Sequence, residues 1–305
     1  MGQLVNGEWI TQDVLTDQQG EFHRTPSAFI GKLPSLPVQL NRFLLIASRA
    51  CPWAHRVIIA IKLLKIDNLQ IEYSPPLLGA EGWLLPETAQ SRLQMTWVHE
   101  LYKHSHPNYT GRVTLPLFVD QNTNAILSND STELLLALSQ TWREQGVLGT
   151  TDNTRLPLLN HAELADVQEW QRWITSKISN GPYRAIFTEH QPQYEANVLQ
   201  FFGSLDLVEE RLKTRTFFMG EQMTLCDLCL FPTLCRFHAY GSYLKCRLKT
   251  LSEYPELSRY TSLLMSIPEI SETVSLEEIN LHYHRSVPKQ PHVTLLPRVV
   301  NRSIT

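Results

Sequence analysis

The chain has 305 residues, a formal net charge of −3, 43% hydrophobic residues and 19% charged ones. That balance excludes wholesale disorder, since there is enough apolar sequence to bury a core, and it excludes nucleic-acid binding by bulk electrostatics, which needs a strongly basic surface. No run approaches the ~18 consecutive apolar residues of a membrane span, and MGQLVNGEWITQD lacks the basic start and apolar core of a secretory signal.

Residues 1–40 are polar and turn-rich and read as an extension that packs on a domain rather than forming one. RFLLIAS (42–48) has the length and apolarity of a strand. CPWAHRVIIAIKLLKI (51–66) places Val57, Ile58, Ile61, Leu63 and Leu64 at helical spacing, and LQIEYS (69–74) alternates as a second strand. A long connection with Gly79, Gly82 and Pro86 follows, then HELYKHSHPNYTGR, part helix and part loop, with His104 and His106 expected in the loop and solvated. TLPLFVD (114–120) and AILSND (125–130) flank the turn-rich Gln121–Asn124 and predict a β-hairpin. STELLLALSQ (131–140) reads as a helix. The order β-α-β, connection, β-β-α predicts a mixed four-stranded sheet of thioredoxin-like α/β type.

Beyond about residue 150 only helical signals remain. Asn160 and Glu163 stand at capping-box spacing, and QYEANVLQFFGSLDLVEERLKTR is a long amphipathic helix. TLCDLCLFPTLCRFHAYGSYL is expected to form one buried central helix, and PELSRYTSLLMSI starts with proline at a first helical position. The expected divisions are an extension at 1–40, an α/β domain at 41–145, an all-helical domain at 155–284 and a tail at 285–305.

The five cysteines are Cys51, Cys226, Cys229, Cys235 and Cys246. An odd number, mostly crowded together, makes a poor disulfide framework, so a reducing cytoplasm is expected. Cys226 and Cys229 have no second pair and no histidine at ligand spacing, so no metal is expected. Thr224 and Asp227 form a capping box around them, which places both inside a helix and argues against a redox role.

Cys51-Pro52 lies between a strand and a helix. Pro52 suits the first helical turn, so Cys51 falls near the N-cap, where unpaired N–H groups and the helix dipole favour a thiolate. A buried structural cysteine is the plainer alternative. The strand–Cys–Pro–helix arrangement favours the reactive thiol. Ala54 occupies the position of a resolving cysteine, so the second thiol must come from solution, and glutathione is the abundant cytoplasmic candidate. A cis Leu115–Pro116 bond would let Leu115 pair with a peptide-like ligand. Asp130 and Ser131 open a helix, where they either cap it or grip the charged ends of that ligand.

A domain of this order with a cis-proline, followed by a capped helical domain, resembles the glutathione transferase superfamily. The run Ser48-Arg49-Ala50-Cys51-Pro52-Trp53-Ala54-His55-Arg56 is more specific: it resembles the signature of the Xi-class enzymes, the glutathionyl-hydroquinone reductases. Similar stretches include Gly20–Arg24, Gly82-Trp83, Asn108–Thr114, Asn180–Tyr183, Arg236-Phe237, Lys245-Cys246 and His282-Tyr283. The resemblance implies a mixed disulfide between Cys51 and glutathione, Trp83 packed on glutathione, and Arg112 with Leu115–Pro116 as the peptide-binding strand. It implies Asp130 and Ser131 at the γ-glutamyl end, and Tyr183, Tyr240 and Tyr283 around the acceptor. It also implies a homodimer. Asp130 is one methylene shorter than the family glutamate, Tyr243 competes with Tyr240 for the pocket, and His284 stands where the family has tyrosine. The activity implied is glutathione-dependent reduction of glutathionyl-hydroquinones. The alternatives are a glutaredoxin-like thiol transferase, which needs no tyrosines, and a silent glutathione-binding protein, against which Cys51 argues.

Overall fold

The structure, a computed structural model, describes residues 2–11, 16, 22, 26–30, 33, 40–144, 164–243, 248–287, 294 and 296. Strands β1 (Gln3–Val5) and β2 (Glu8–Ile10) form an antiparallel hairpin. Its turn is Asn6-Gly7, both at positive φ (51° and 80°), the pairing that a twisted two-residue hairpin demands. The extension therefore has secondary structure of its own.

β3 (Phe43–Ala47) is buried at every residue and lies at the centre of the main sheet. It leads into α1 (Pro52–Leu63) and on to β4 (Gln70–Tyr73), which pairs parallel to β3. Two short strands, β5 (Leu78–Gly79) and β6 (Gly82–Trp83), then α2 (Glu87–Leu93) and α3 (Val98–Ser105), fill the long connection. β7 (Gly111–Arg112) pairs with β1, so the amino-terminal hairpin is joined to this unit as a three-stranded sheet in the order β2-β1-β7. β8 (Leu117–Asp120) and β9 (Ala125–Ser128) form the expected hairpin, giving the mixed sheet β4-β3-β8-β9, and α4 (Ser131–Glu144) follows. The third sheet strand starts at Leu117 rather than Thr114, because the cis Leu115–Pro116 bond precedes it.

The second half is helical throughout its described residues. α5 (Leu164–Trp173) widens into a π-helical stretch, Ile174–Ser179, before α6 (Gly181–Phe187) and the long α7 (Gln191–Leu212). α8 (Leu225–Leu234) opens on the capping box: Thr224 Oγ1 accepts from Cys226 N, and Asp227 Oδ2 accepts from Thr224 N at 2.7 Å. α9 (Phe237–Ser242), α10 (Pro255–Met265), α11 (Pro268–Ser271) and α12 (Leu276–Arg285) complete the chain order. The capping pair expected at Asn160 and Glu163, like Lys245 and Cys246, lies outside the described residues.

The single central helix expected over 224–244 is instead two, α8 and α9, broken at Cys235 and Arg236. Arg236 leaves the helical region (φ −98°, ψ 1°), its main-chain N–H turns to Thr233 O, and its guanidinium takes Pro232 O at 2.9 Å. His104 also departs from expectation: it lies in the last turn of α3 and its Nε2 meets Thr123 O at 3.1 Å. His106 does end that helix, with its ring edge-on to Tyr109.

α1 joins the two halves. It packs on α4 from the sheet unit and on α8 and α11 from the helical unit, and its residues are buried almost all round. A helix buried on nearly every side is held on nearly every side. That enclosure holds the first turn of α1, and so Cys51, in a fixed place.

Candidate active site

Cys51 is the N-cap of α1, with φ −79° and ψ 118°, and Pro52 occupies the first helical turn. The turn before it is closed by Cys51 N donating to Ser48 O at 3.0 Å. The partial positive charge at such a terminus favours a thiolate over a thiol. The Cys51 thiol donates to Leu115 O at 3.5 Å, and the Leu115–Pro116 bond is cis. Thr114, just upstream, is held by Tyr102: its N–H donates to the phenol oxygen at 3.1 Å, and the phenol donates to its carbonyl at 3.0 Å. Asn129 Nδ2 donates to the same phenol oxygen at 2.9 Å, which ties the start of α4 to this loop.

Cys51 stands at the wall of a cleft between the sheet unit and the helices that follow it. Its walls include Trp53, Trp83, Tyr109, Arg112, Leu115, Asn129, Tyr183, Phe187 and His282, with Gly2, Trp9 and Phe22 from the extension. Trp83 is stacked on His282, ring centroids 5.4 Å apart and 8° from parallel. His282 Nδ1 donates to Pro76 O at 2.7 Å, and burial pushes the imidazole down to about 4, so the stack is with a neutral ring. Trp9 donates from Nε1 to Ala80 O at 3.0 Å and stacks on His99. It lies so close to Gly82 (φ 75°) that a Cβ there would come within 3.1 Å of the indole.

The three predicted tyrosines converge from three helices of the second half. Tyr183 on α6 and Tyr283 on α12 share a hydrogen bond of 2.5 Å between their hydroxyls. Tyr240 on α9 stands edge-on to both, at 6.3 Å and 5.5 Å between centroids. Tyr183 lines the cleft beside Trp53, whereas Tyr240 and Tyr283 stand behind it, 1% and 0% exposed. Burial pushes all three phenols well above their usual range, with the Arg236 cation pulling the other way, so they are neutral hydrogen-bond donors at physiological pH. Tyr243 is half-buried beside His284, packed against this cluster but not among the residues that line the cleft.

Residues 191–261 match the family model described as glutathione S-transferase, C-terminal domain. Glutathionyl-hydroquinone reductase PcpF of Sphingobium chlorophenolicum is 30% identical over 97% of this chain and 96% of its own length. Glutathionyl-hydroquinone reductase YqjG of Escherichia coli K12 is 31% identical over 97% and 93%. This chain is a Xi-class glutathione transferase. The solved Xi enzyme of Phanerochaete chrysosporium superposes with a TM-score of 0.80 at 29% identity, covering 92% of this chain and 97% of that one. The glutathione-bound structure of YqjG gives 0.76 at 30% identity, over 93% and 91%.

Within this Xi-class chain, five of the ten residues singled out from the sequence line the cleft: Cys51, Trp83, Arg112, Leu115 and Tyr183. Pro116, Asp130 and Ser131 flank it, next to Leu115 and Asn129. Asp130 Oδ1 accepts from Thr132 N at 2.8 Å and Glu133 N at 2.9 Å, so this oxygen caps α4. The sequence reading gave no site role to Trp9, Phe22, Phe187 or His282. Aromatic residues in an otherwise polar extension were the one signal available for the first two. Among the described residues, no group of three or more His, Cys, Asp or Glu is placed to hold a metal ion, and no helix is long and apolar enough to cross a membrane.

Proposed function

We propose that this protein reduces glutathionyl-hydroquinones to hydroquinones, using glutathione as the reductant. The observation that carries the reading is the placement of the Cys51 thiol, on Leu115 O and at the wall of one cleft that Tyr183 shares. Trp83, Arg112, Leu115 and Pro116 hold the glutathionyl moiety, with Asp130 and Ser131 at its γ-glutamyl end. Tyr183, hydrogen-bonded to Tyr283 and backed by Tyr240, faces the aromatic ring.

The Cys51 thiolate attacks the thioether sulfur of the substrate. The sulfur–ring-carbon bond breaks, its electron pair stays on the ring, and a phenol donates a proton and a hydrogen bond to the departing ring system. The hydroquinone leaves and Cys51 remains in a mixed disulfide. The thiolate of a second glutathione then attacks the glutathionyl sulfur, releasing oxidised glutathione and restoring Cys51. Ala54 supports this order, because no neighbouring thiol competes with the second glutathione. Family membership and cysteine usage support a cytoplasmic homodimer, and the change from mixed sheet to helices supports a division into a glutathione-binding unit and a helical unit.

A coupled assay tests the reaction. The purified protein should generate oxidised glutathione from glutathionyl-hydroquinones and show little turnover of a conventional aryl-halide conjugation substrate. Deglutathionylation of simple mixed disulfides, with glutathionyl-hydroquinones left untouched, would replace this reading with that of a glutaredoxin-like thiol transferase.

A further inference from the structure

Arg236 and His55 are both fully enclosed at 0% exposure, in the gap between α1 and the break separating α8 from α9. The Arg236 guanidinium donates to Arg49 O from Nη2 at 2.7 Å and to Ala50 O from Nε at 3.2 Å. These are the two carbonyls immediately ahead of Cys51. Nη1 donates to Pro232 O and to His55 Nδ1, both at 2.9 Å. His55, one helical turn after Cys51, meets Thr273 Oγ1 with Nε2 at 2.8 Å, and Thr273 Oγ1 donates to Ile270 O. The tautomer follows: with Nδ1 accepting, Nε2 carries the proton. Burial and the adjacent cation keep that imidazole neutral.

Among the described residues no carboxylate pairs with Arg236. A buried cation without an acid partner is costly and is retained only where its donors are well used. Here two of its bonds go to main-chain oxygens of the turn that carries the thiol, and the others go to Pro232 O, His55 Nδ1 and Cys235 Sγ. The donor comes from the helical half and those two oxygens from the sheet half, so one side chain bridges the two. Arg236 also sits at the helix break described above, where its side chain takes Pro232 O, the carbonyl four residues back that a continuing helix would offer to its own N–H.

We propose that Arg236 is a positioning residue for the chemistry at Cys51: it pins the Arg49–Ala50 backbone, and thereby the thiol, while His55 and Thr273 fix the orientation of its guanidinium. This rests on the reading of Cys51 as the reacting thiol. It does not require that glutathionyl-hydroquinones be the substrates.

The test follows the rate at which Cys51 in the full-length protein takes up glutathione from oxidised glutathione, read by mass spectrometry, beside turnover on a glutathionyl-hydroquinone. Arg236→Lys keeps a cation and loses the planar fork. Adduct formation and turnover should fall together by ten-fold or more, with the KM for glutathione moving less than three-fold. A folded Arg236→Lys that forms the adduct at the wild-type rate overturns the proposal. The pair His55→Leu and His55→Asn guards against an Arg236→Lys that does not fold. Leucine removes the acceptor, whereas the asparagine Oδ1 returns one near the position of Nδ1. We expect His55→Leu to slow adduct formation ten-fold and His55→Asn to recover it to within three-fold of wild type. Equal slowing in both, or none in either, overturns the assignment. A wild-type protein that forms the adduct but leaves glutathionyl-hydroquinones intact would refute the proposed reaction and leave Arg236 in this role. No adduct on wild-type Cys51 would refute both.

Discussion

Among the described residues, two helix N-termini carry cysteine, and they differ in nearly everything else. Cys51 caps α1, follows the central strand and faces a cleft. Cys226 is the second residue of α8; its N–H is taken by Thr224 Oγ1, and its thiol donates to Val167 O at 3.5 Å in the core. Burial pushes the Cys226 thiol far above its usual range. A helix dipole alone does not make a reactive thiol, because the cost of burying a charge outweighs the gain of well under 2 kcal/mol that a helix terminus offers. Access to the cleft, beside the cis-proline loop, separates the two.

The sharpest way to break that comparison is to remove each thiol in turn. Cys51→Ser should lower turnover by a factor on the order of a million, as loss of a covalent nucleophile does. Cys226→Ala should leave turnover within about two-fold. Steady-state assays on the two purified variants check this, and a glutathione adduct found on Cys226 instead of Cys51 would reverse the assignment.

The next effect belongs to the Cys226 region alone. Asp227 accepts from Phe218 N, Thr224 N, Thr224 Oγ1 and Tyr260 Oη while wholly buried. Asp227→Ala would orphan several buried donors at once and should cost about 3–5 kcal/mol in denaturant unfolding. Activity per folded molecule should be unchanged.

Tyrosines draw the contrast more finely. Tyr183→Phe and Tyr283→Phe keep the ring and lose the donor, so turnover should fall roughly 10- to 1000-fold while adduct formation at Cys51 survives. Tyr260→Phe, beside Asp227, should do the opposite and alter stability with little effect on rate. Nearly unchanged turnover in both cleft variants would reduce those tyrosines to packing.

The smallest effect is on pH. His282 titrates at about 4 when folded, against an ordinary 6.5, so the unfolded chain binds the proton more readily. The associated stability is complete above about pH 6.5 and is lost as pH falls towards 4, up to about 3 kcal/mol in all. Unfolding curves at pH 7 and pH 4.5 should show a shallower decline in His282→Gln, and an unaltered one in Cys226→Ala.

Local chemistry made much of this legible. The β3-α1-β4 unit followed from an apolar run, a helical period and an alternating run. The Thr224–Asp227 box followed from spacing, and Cys51 from its place between strand and proline. What could not be read depended on distant partners. At the break, the Arg236 guanidinium binds carbonyls nearly 190 residues away in sequence, partners that no local pattern signals. Trp9 reaches the cleft because β1 pairs with β7, and Phe22 lies there against Phe187 of α6, contacts that three-dimensional closure sets. Asn6-Gly7 was a readable hairpin signal, but in a short polar stretch its strands carried too little apolar pattern to stand out. Tyr240 lies on α9 and Tyr243 caps its end three residues on, so spacing alone could not separate them.

The grip on the Cys51 turn is made entirely through main-chain oxygens at positions 49 and 50, and that bears on how the sequence can drift. Every amino acid supplies the same carbonyl. The Arg49 side chain is free to serve elsewhere, and it lies over the Tyr73 ring at 4.7 Å. Substitution at position 49 therefore changes a surface contact and leaves the hold on the turn intact. At position 236 no other residue offers a planar fork of five donors. Mutational latitude on one side of the contact is matched by near-total constraint on the other, although both ends belong to the same hydrogen bonds.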